Sequence, residues 1–427
     1  MSLPDTQSSL SMPGEPLGLP SGFAPTRWFL RRLLSRIAVG QLTVVTPDGE
    51  RLTSPAGLPG PQAVLILRKW RGLRRLMLDG DIGLAEAYRD GEVETPDLTA
   101  LIELGARNDA TLRKLVSGMW PARLLNRARH LLNANTRAGS RRNITAHYDL
   151  GNAFYAQWLD ASMMYSSALY ETPGEMLEVA QQRRLDRIVA MLGLSGGEHV
   201  LEIGCGWGAL AERLAREGCR VTAITLSPAQ LEAARQRIAQ AGLTERVTIE
   251  LRDYRDITGQ FDRIVSIEMI EAVGRAYWPS YFETLRRALR PGGRAVLQAI
   301  TIDDAQFESY QQGTDFIQRY IFPGGCLPSV PALEGCARDV GLEVTEQLDF
   351  GESYALTLKD WRRRFQERWT EIAPLGFDEA FRRLWDFYLC YCEAGFRAGT
   401  IDVSLLTLQG PAGQRLGAQG SATSASH

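Results

Sequence analysis

The residues best placed to do chemistry stand in one stretch, His199-Val200-Leu201-Glu202-Ile203-Gly204-Cys205-Gly206-Trp207-Gly208-Ala209-Leu210. An apolar strand with an acid near its end runs into three alternating glycines, and Leu210 to Arg216 then restores a helical apolar spacing. That is strand, tight turn, helix. Gly204 and Gly208 permit backbone angles a side chain would resist, and Gly206 lets the main chain approach a ligand. The spacing is G-x-G-x-G, whereas a dinucleotide fingerprint continues as G-x-G-x-x-G. No Gly-Lys-Ser or Gly-Lys-Thr follows, which excludes a phosphate-cradling loop. An acid at Glu202 suits the ammonium of a methionine moiety, so these residues point to S-adenosylmethionine.

Elements on either side must position that turn. His199–Ile203, Arg220–Leu226, Val247–Leu251, Phe261–Ile267 and Arg294–Ile300 read as five strands, separated by helical segments such as 228–241 and 277–289. Alternation of this kind predicts an α/β fold, a doubly wound and mostly parallel sheet. Ligands of such sheets bind beyond the carboxyl ends of the strands, which gathers Glu202, Thr225, Asp253 and Glu268 to Glu271 around one crevice.

The chain has 427 residues, 44% of them hydrophobic, and a net charge of -2, so it predicts two or three domains and no bulk affinity for nucleic acid. Residues 1–25 and 410–427 have the composition of disordered tails. Residues 26–118 read as a small accessory α+β domain: 41–52 carries a hairpin broken at Asp48-Gly49, 63–67 is a buried strand, and a helix begins at Gly72. Residues 119–142 read as a basic connecting helix, with Arg123, Arg127, Arg129, Arg137, Arg141 and Arg142 among leucines. Such a stretch suits either anionic phospholipid headgroups or plain solvent. The catalytic domain is expected over 143–409. The six cysteines show neither a C-x-x-C pair nor a zinc spacing, and no apolar run spans a bilayer. The expectation is a cytoplasmic protein, peripheral at the inner membrane face, with a homodimer possible.

The residues then reach a family. His147-Tyr148-Asp149-Leu150-Gly151-Asn152, Tyr165-Ser166, Glu202 to Gly208, Thr225-Leu226-Ser227, Asp253-Tyr254-Arg255-Asp256 and Tyr320 to Ser329 closely resemble the cyclopropane fatty acid synthases and mycolic acid methyltransferases. The resemblance covers about residues 140–409. It implies a Rossmann-like class I methyltransferase fold with a helical cap, the longer members carrying the additional N-terminal domain. It implies methyl transfer from S-adenosylmethionine to the double bond of an unsaturated acyl chain in a membrane phospholipid. By motif, Tyr165, Ser166, Glu202, Gly204, Gly206, Gly208, Thr225, Leu226, Ser227, Gln230, Asp253 and Tyr254 should contact the cofactor, with Asp253 accepting from the adenine amino group.

Attack by an alkene leaves a carbocation, which needs an aromatic face beside it and a base to take a proton. Tyr354, Tyr320 and Tyr170 are the aromatic candidates. Family members that hold a bicarbonate ion place a cysteine after the Tyr-Ser pair, a small residue three positions before a glutamate, and a histidine on the fifth strand. Here those positions are Ser167, Glu268 and Gln298, while Glu271 and Tyr354 match. Glu268 is therefore expected to supply a built-in carboxylate, with Gln298 and Ser167 donating to it. The alternative pairs Glu268 with an arginine and leaves bicarbonate on Glu271 and Tyr354. Proton loss from the added methyl closes a cyclopropane, which is the expected product; loss from a neighbouring carbon leaves a methyl- or methylene-branched chain, which is the alternative. Cys392, near Phe396-Arg397, matches a family cysteine and reads as nucleophile or packing. Residues 303–360 are expected to cap an acyl tunnel lined by Phe307, Phe316, Ile317, Ile321 and Phe322. A non-catalytic lipid-binding protein and a small-molecule methyltransferase are the competing readings.

Overall fold

The computed structural model describes residues 24–116 and 150–410. The tails, the basic stretch at 119–142 and the His147-Tyr148-Asp149 motif lie outside the described residues.

The larger unit is built on a seven-stranded sheet of order β10-β11-β9-β8-β5-β6-β7. Its strands are β5 (His199–Ile203), β6 (Arg220–Thr225), β7 (Val247–Leu251), β8 (Phe261–Ile267), β9 (Leu289–Ile302), β10 (Glu343–Asp349) and β11 (Ile401–Gln409). Strands β5 to β9 pair in parallel, and β11 runs antiparallel between β9 and β10. The central parallel strands β5, β8 and β9 are buried over most of their length, as a sheet covered on both faces requires. The five expected strands are present. The last two were not anticipated: β10 alternates half-buried and exposed residues, and it becomes a strand only because β11 pairs with it. The segment 303–360 is consequently not all cap.

The N-terminal unit has four strands, β1 (Val39–Val45), β2 (Arg51–Thr53), β3 (Leu58–Leu67) and β4 (Val93–Glu94), in a sheet of order β2-β1-β3-β4. The hairpin at Asp48-Gly49 joins β1 to β2, and β3 returns parallel to β1. Helices α1 (Ala24–Leu34), α2 (Trp70–Arg89), α3 (Leu98–Arg107) and α4 (Asp109–Val116) pack on it. Inside α2, Gly80 takes φ 58° and ψ −127°, a break that only glycine adopts readily, and it turns Asp81 toward the larger unit.

The two units share a polar seam. Tyr391 Oη and the Phe316 amide both donate to Asp81 Oδ2, at 2.9 and 3.1 Å. Tyr88 Oη donates to Asp386, Thr99 Oγ1 to Glu393, and Tyr320 Oη to Glu86 at 2.6 Å. Their counterparts lie on the long helix Glu379–Ala398 and on a π-helical turn at Ile317–Ile321. No helix among the described residues is long and apolar enough to cross a membrane.

Candidate active site

Glu202, near the end of β5, is 3% exposed. Its Oε2 has no hydrogen-bond partner, and burial pushes its carboxyl up to about 8, opposed only by Arg184. A buried acid oxygen left open beside a turn is what a cationic ligand group would satisfy. Gly204, Gly206 and Gly208 all have φ between 52° and 84°. A Cβ at Gly206 would meet nothing within 4 Å, so its bareness serves the cavity rather than packing, whereas one at Gly208 would press on Ala234. The turn is closed by Trp207, whose Nε1 donates to Asn152. Thr225 Oγ1 donates to Gln230 Oε1, and Ser227 caps the helix Pro228–Gln240 through the Gln230 amide.

A cavity of 1210 Å³ opens from this turn, and Tyr165, Ser166, Glu202, Gly204, Gly206, Thr225 and Gln230 are among its lining residues. Gly208, Leu226, Ser227, Asp253 and Tyr254 are not among them. Asp253 is gripped by Arg255, which donates from Nε and Nη2 at 2.8 and 2.7 Å. Tyr254 is buried against Tyr281.

On the other side of the cavity, Glu268 follows directly on β8 with φ 48°, one of two non-glycine residues at positive φ among the described residues. That backbone turns its carboxylate inward. Oε1 accepts from Gln298 Nε2 at 2.6 Å and from the Ser167 amide at 3.1 Å, and Oε2 accepts from Tyr354 Oη at 2.7 Å. Burial raises the Glu268 carboxyl, and these three donors together with Arg184 hold it back down. Expectation and structure differ at one point: the Ser167 hydroxyl turns away to the Ala168 carbonyl, and the main chain is what donates.

Arg184 was not singled out from sequence. It lies on the helix Leu177–Leu192, 2% exposed, and donates to Gln298 Oε1 at 3.3 Å and to the Ser166 hydroxyl. By holding the Gln298 oxygen it aims the Gln298 nitrogen at Glu268. The signal was present: Leu177, Ala180, Gln181, Arg184, Leu185 and Ile188 form one helical stripe, and a lone cation within it must have a buried partner. No direct ion pair joins Arg184 to Glu268 among the described residues.

Glu271 Oε1 accepts from the Ile300 amide while its Oε2 stays unpartnered, and burial with the neighbouring Glu268 charge pushes this carboxyl up to about 8. Tyr354 stacks on Phe396 at 4.6 Å and lines the cavity with Tyr165 and Tyr388, whose hydroxyls bond at 2.7 Å. Tyr320 and Tyr170 are elsewhere, the first on Glu86 and the second outside the lining. Of the expected tunnel residues Ile317 and Phe322 line the cavity, while Phe307, Phe316 and Ile321 are buried in the core. Cys392 lines it too, and burial pushes its thiol well above the ordinary range, which disfavours the thiolate.

An acid for an ammonium, a glycine turn for close approach and a cavity continuing past a buried base form a site that fits S-adenosylmethionine. Comparisons with known proteins agree. The family model described as mycolic acid cyclopropane synthetase matches residues 135–406. A tuberculostearic acid methyltransferase of Mycobacterium tuberculosis is 41% identical over 89% of this chain and 91% of its own. A cyclopropane-fatty-acyl-phospholipid synthase of Escherichia coli is 36% identical over 77% and 83%. A mycolic acid cyclopropane synthase solved with S-adenosylhomocysteine superposes with TM-score 0.59 and 32% identity, over 63% of this chain and 98% of that one. The chain belongs to the mycolic acid cyclopropane synthetase family and is an S-adenosylmethionine-dependent methyltransferase.

Proposed function

We propose that the protein methylates the double bond of an unsaturated acyl chain of a membrane phospholipid, using Glu268 as a resident base. The observation that carries this is the buried carboxylate of Glu268, held by Tyr354, Gln298 and Ser167 on the wall of a cavity that also contains Glu202. S-adenosylmethionine, when bound, supplies an electrophilic methyl group. Glu202, the turn around Gly206, and Thr225 with Gln230 would hold it. Tyr354 and Phe396 turn aromatic surface toward the cavity, where cationic charge develops on the chain. The Glu268 carboxylate accepts the proton that leaves, and its raised affinity for protons suits that task. Donors that could grip a free bicarbonate ion are already committed to Glu268, which supports the built-in base over the ion.

For the product we favour a branched chain. The 41% identical relative, matched over 91% of its length, is named for tuberculostearic acid, whereas the relative named for cyclopropane formation is 36% identical. Proton loss from a neighbouring chain carbon leaves a methyl branch on an alkene; loss from the added methyl closes a ring onto the cationic carbon or, once a 1,2-hydride shift has moved the cation to the carbon bearing the methyl, leaves a methylene. Purified enzyme, vesicles of dioleoyl phosphatidylglycerol and methyl-deuterated S-adenosylmethionine decide among them. Three deuterons retained in the fatty acid mean a methyl branch. Two retained mean a methylene, which hydrogenation reduces, or a cyclopropane, which resists it. No labelled fatty acid at all would overturn the acyl substrate.

A further inference from the structure

The cavity does not end in the methyltransferase unit. It passes the seam at Asp81 and continues between α1, the four-stranded sheet and α2 to α4, where Leu33, Leu42, Leu65, Leu73, Leu101 and Leu112 wall it. We propose that this N-terminal part of the cavity receives the methyl-terminal segment of the acyl chain being methylated, so that the N-terminal unit measures chain length.

The inference rests on the acyl-chain reading above and adds a place for the rest of the chain. Volume is the first argument. At 1210 Å³ the cavity exceeds the roughly 300–1,000 Å³ usual for a small-molecule site, so a cofactor alone leaves much of it unfilled. Packing is the second. A domain this small ordinarily closes its core to crystal-like density, and a leucine-lined void lowers stability. Leu42 and Leu65 are only 4% and 3% exposed, yet both border the space. An apolar cavity of this kind stays dry and takes hydrocarbon.

Charge is the third argument, and it chooses which end of the lipid enters. Apart from glycines, the N-terminal lining is apolar except for Asp79, Asp81 and Asp109. Three carboxyl groups and no cation would repel a phosphate, whose desolvation here would also go unrepaid. They leave a methyl terminus undisturbed. Polar side chains that also line the cavity, Gln306, Ser309, Gln312 and Thr314, belong to the methyltransferase unit.

The test uses the full-length enzyme in phosphatidylglycerol vesicles. Leu42→Trp and Leu65→Trp, which fill the N-terminal space, should lower kcat/KM on oleoyl chains about tenfold while leaving shorter myristoleoyl chains within about twofold. Affinity for S-adenosylhomocysteine should not change in either variant. In wild-type enzyme, an unsaturated acyl chain carrying a terminal diazirine should, on illumination, label peptides from residues 24–116. Loss of oleoyl and myristoleoyl turnover in equal measure, or labelling confined to 150–410, overturns the inference. Should the tryptophan variants fail to fold, the wild-type labelling decides alone. Wild-type enzyme that labels no acyl chain with methyl groups would instead sink the acyl reading, a result distinguishable from both.

Discussion

Replacing Glu268 with glutamine keeps the shape of the side chain and removes its charge. Three donors address the carboxylate, at 2.6, 2.7 and 3.1 Å. In Glu268→Gln one oxygen remains to accept from Tyr354 or Gln298, and an amide nitrogen is brought against a donor. The variant also loses its proton acceptor. General-base catalysis contributes about 10²- to 10⁴-fold, or about 3–5 kcal/mol at 1.36 kcal/mol per decade, so kcat should fall by that factor. Affinity for S-adenosylhomocysteine should stay within about threefold, because Glu202 and the glycine turn are untouched. The assay is deuterated-methyl incorporation into vesicle lipid, followed by mass spectrometry. A second variant sharpens the test. Glu268→Gly suits the positive φ of 48° and empties the space among the three donors. Its activity should be low in carbonate-free buffer and should recover when bicarbonate is added. Turnover of Glu268→Gln within about threefold of wild type, or indifference of Glu268→Gly to bicarbonate, would refute the role of Glu268 as base.

Other expectations follow from the same geometry. Arg184→Met keeps the bulk but frees Gln298 to rotate, so kcat should drop about tenfold and the acid limb of the pH–rate profile should move to higher pH as Glu268 loses a neighbouring cation; an unchanged pH profile would reduce Arg184 to packing. Glu202→Gln should weaken S-adenosylmethionine about 10- to 150-fold, the worth of a hydrogen bond to a charged group, as read by calorimetry. The folded Glu202 carboxyl sits at about 8, above its ordinary 4.5, so the folded state binds the extra proton. Its contribution to stability is therefore full below about pH 4.5 and is lost as pH rises through 8. Melting temperature of the cofactor-free enzyme should fall across that window, less steeply in Glu202→Gln, and cofactor binding near neutrality should release a proton. Cys392→Ser should retain turnover within about threefold, since a thiol kept protonated cannot serve as nucleophile; a loss of a hundredfold would restore that role.

The parts of this molecule that were legible in sequence are those encoded locally. The turn from Glu202 to Gly208 announces itself by spacing, and the five parallel strands by apolar runs between helices. Glu268 stood out because it occupies a position where relatives keep a small residue. What sequence hid depends on partners distant in the chain. The strand at Glu343–Asp349 exists through pairing with residues about sixty positions later. Arg184 acquires its task only when β9 carries Gln298 beside it. The Ser167 contribution is a main-chain amide, which residue type cannot reveal. The hollow in the N-terminal unit is a matter of how well leucines fill space, and a pattern of leucines reads the same whether the core is closed or open.

Strand β11 has a consequence for biosynthesis. It inserts between β9 and β10, pairing with β9 from Ile302–Ile401 to Arg294–Gln409. Until residues 401–409 leave the ribosome, β9 presents a long apolar edge and β10 has no place in the sheet. Gln298, opposite Leu405 in that pairing, is likewise unsupported on one side. Nascent chains thus carry an open edge from the making of β9 until that of β11, about a hundred residues later, and completion of the base's surroundings waits on β11. A premature stop anywhere before Ile401 should yield aggregates rather than a slow enzyme.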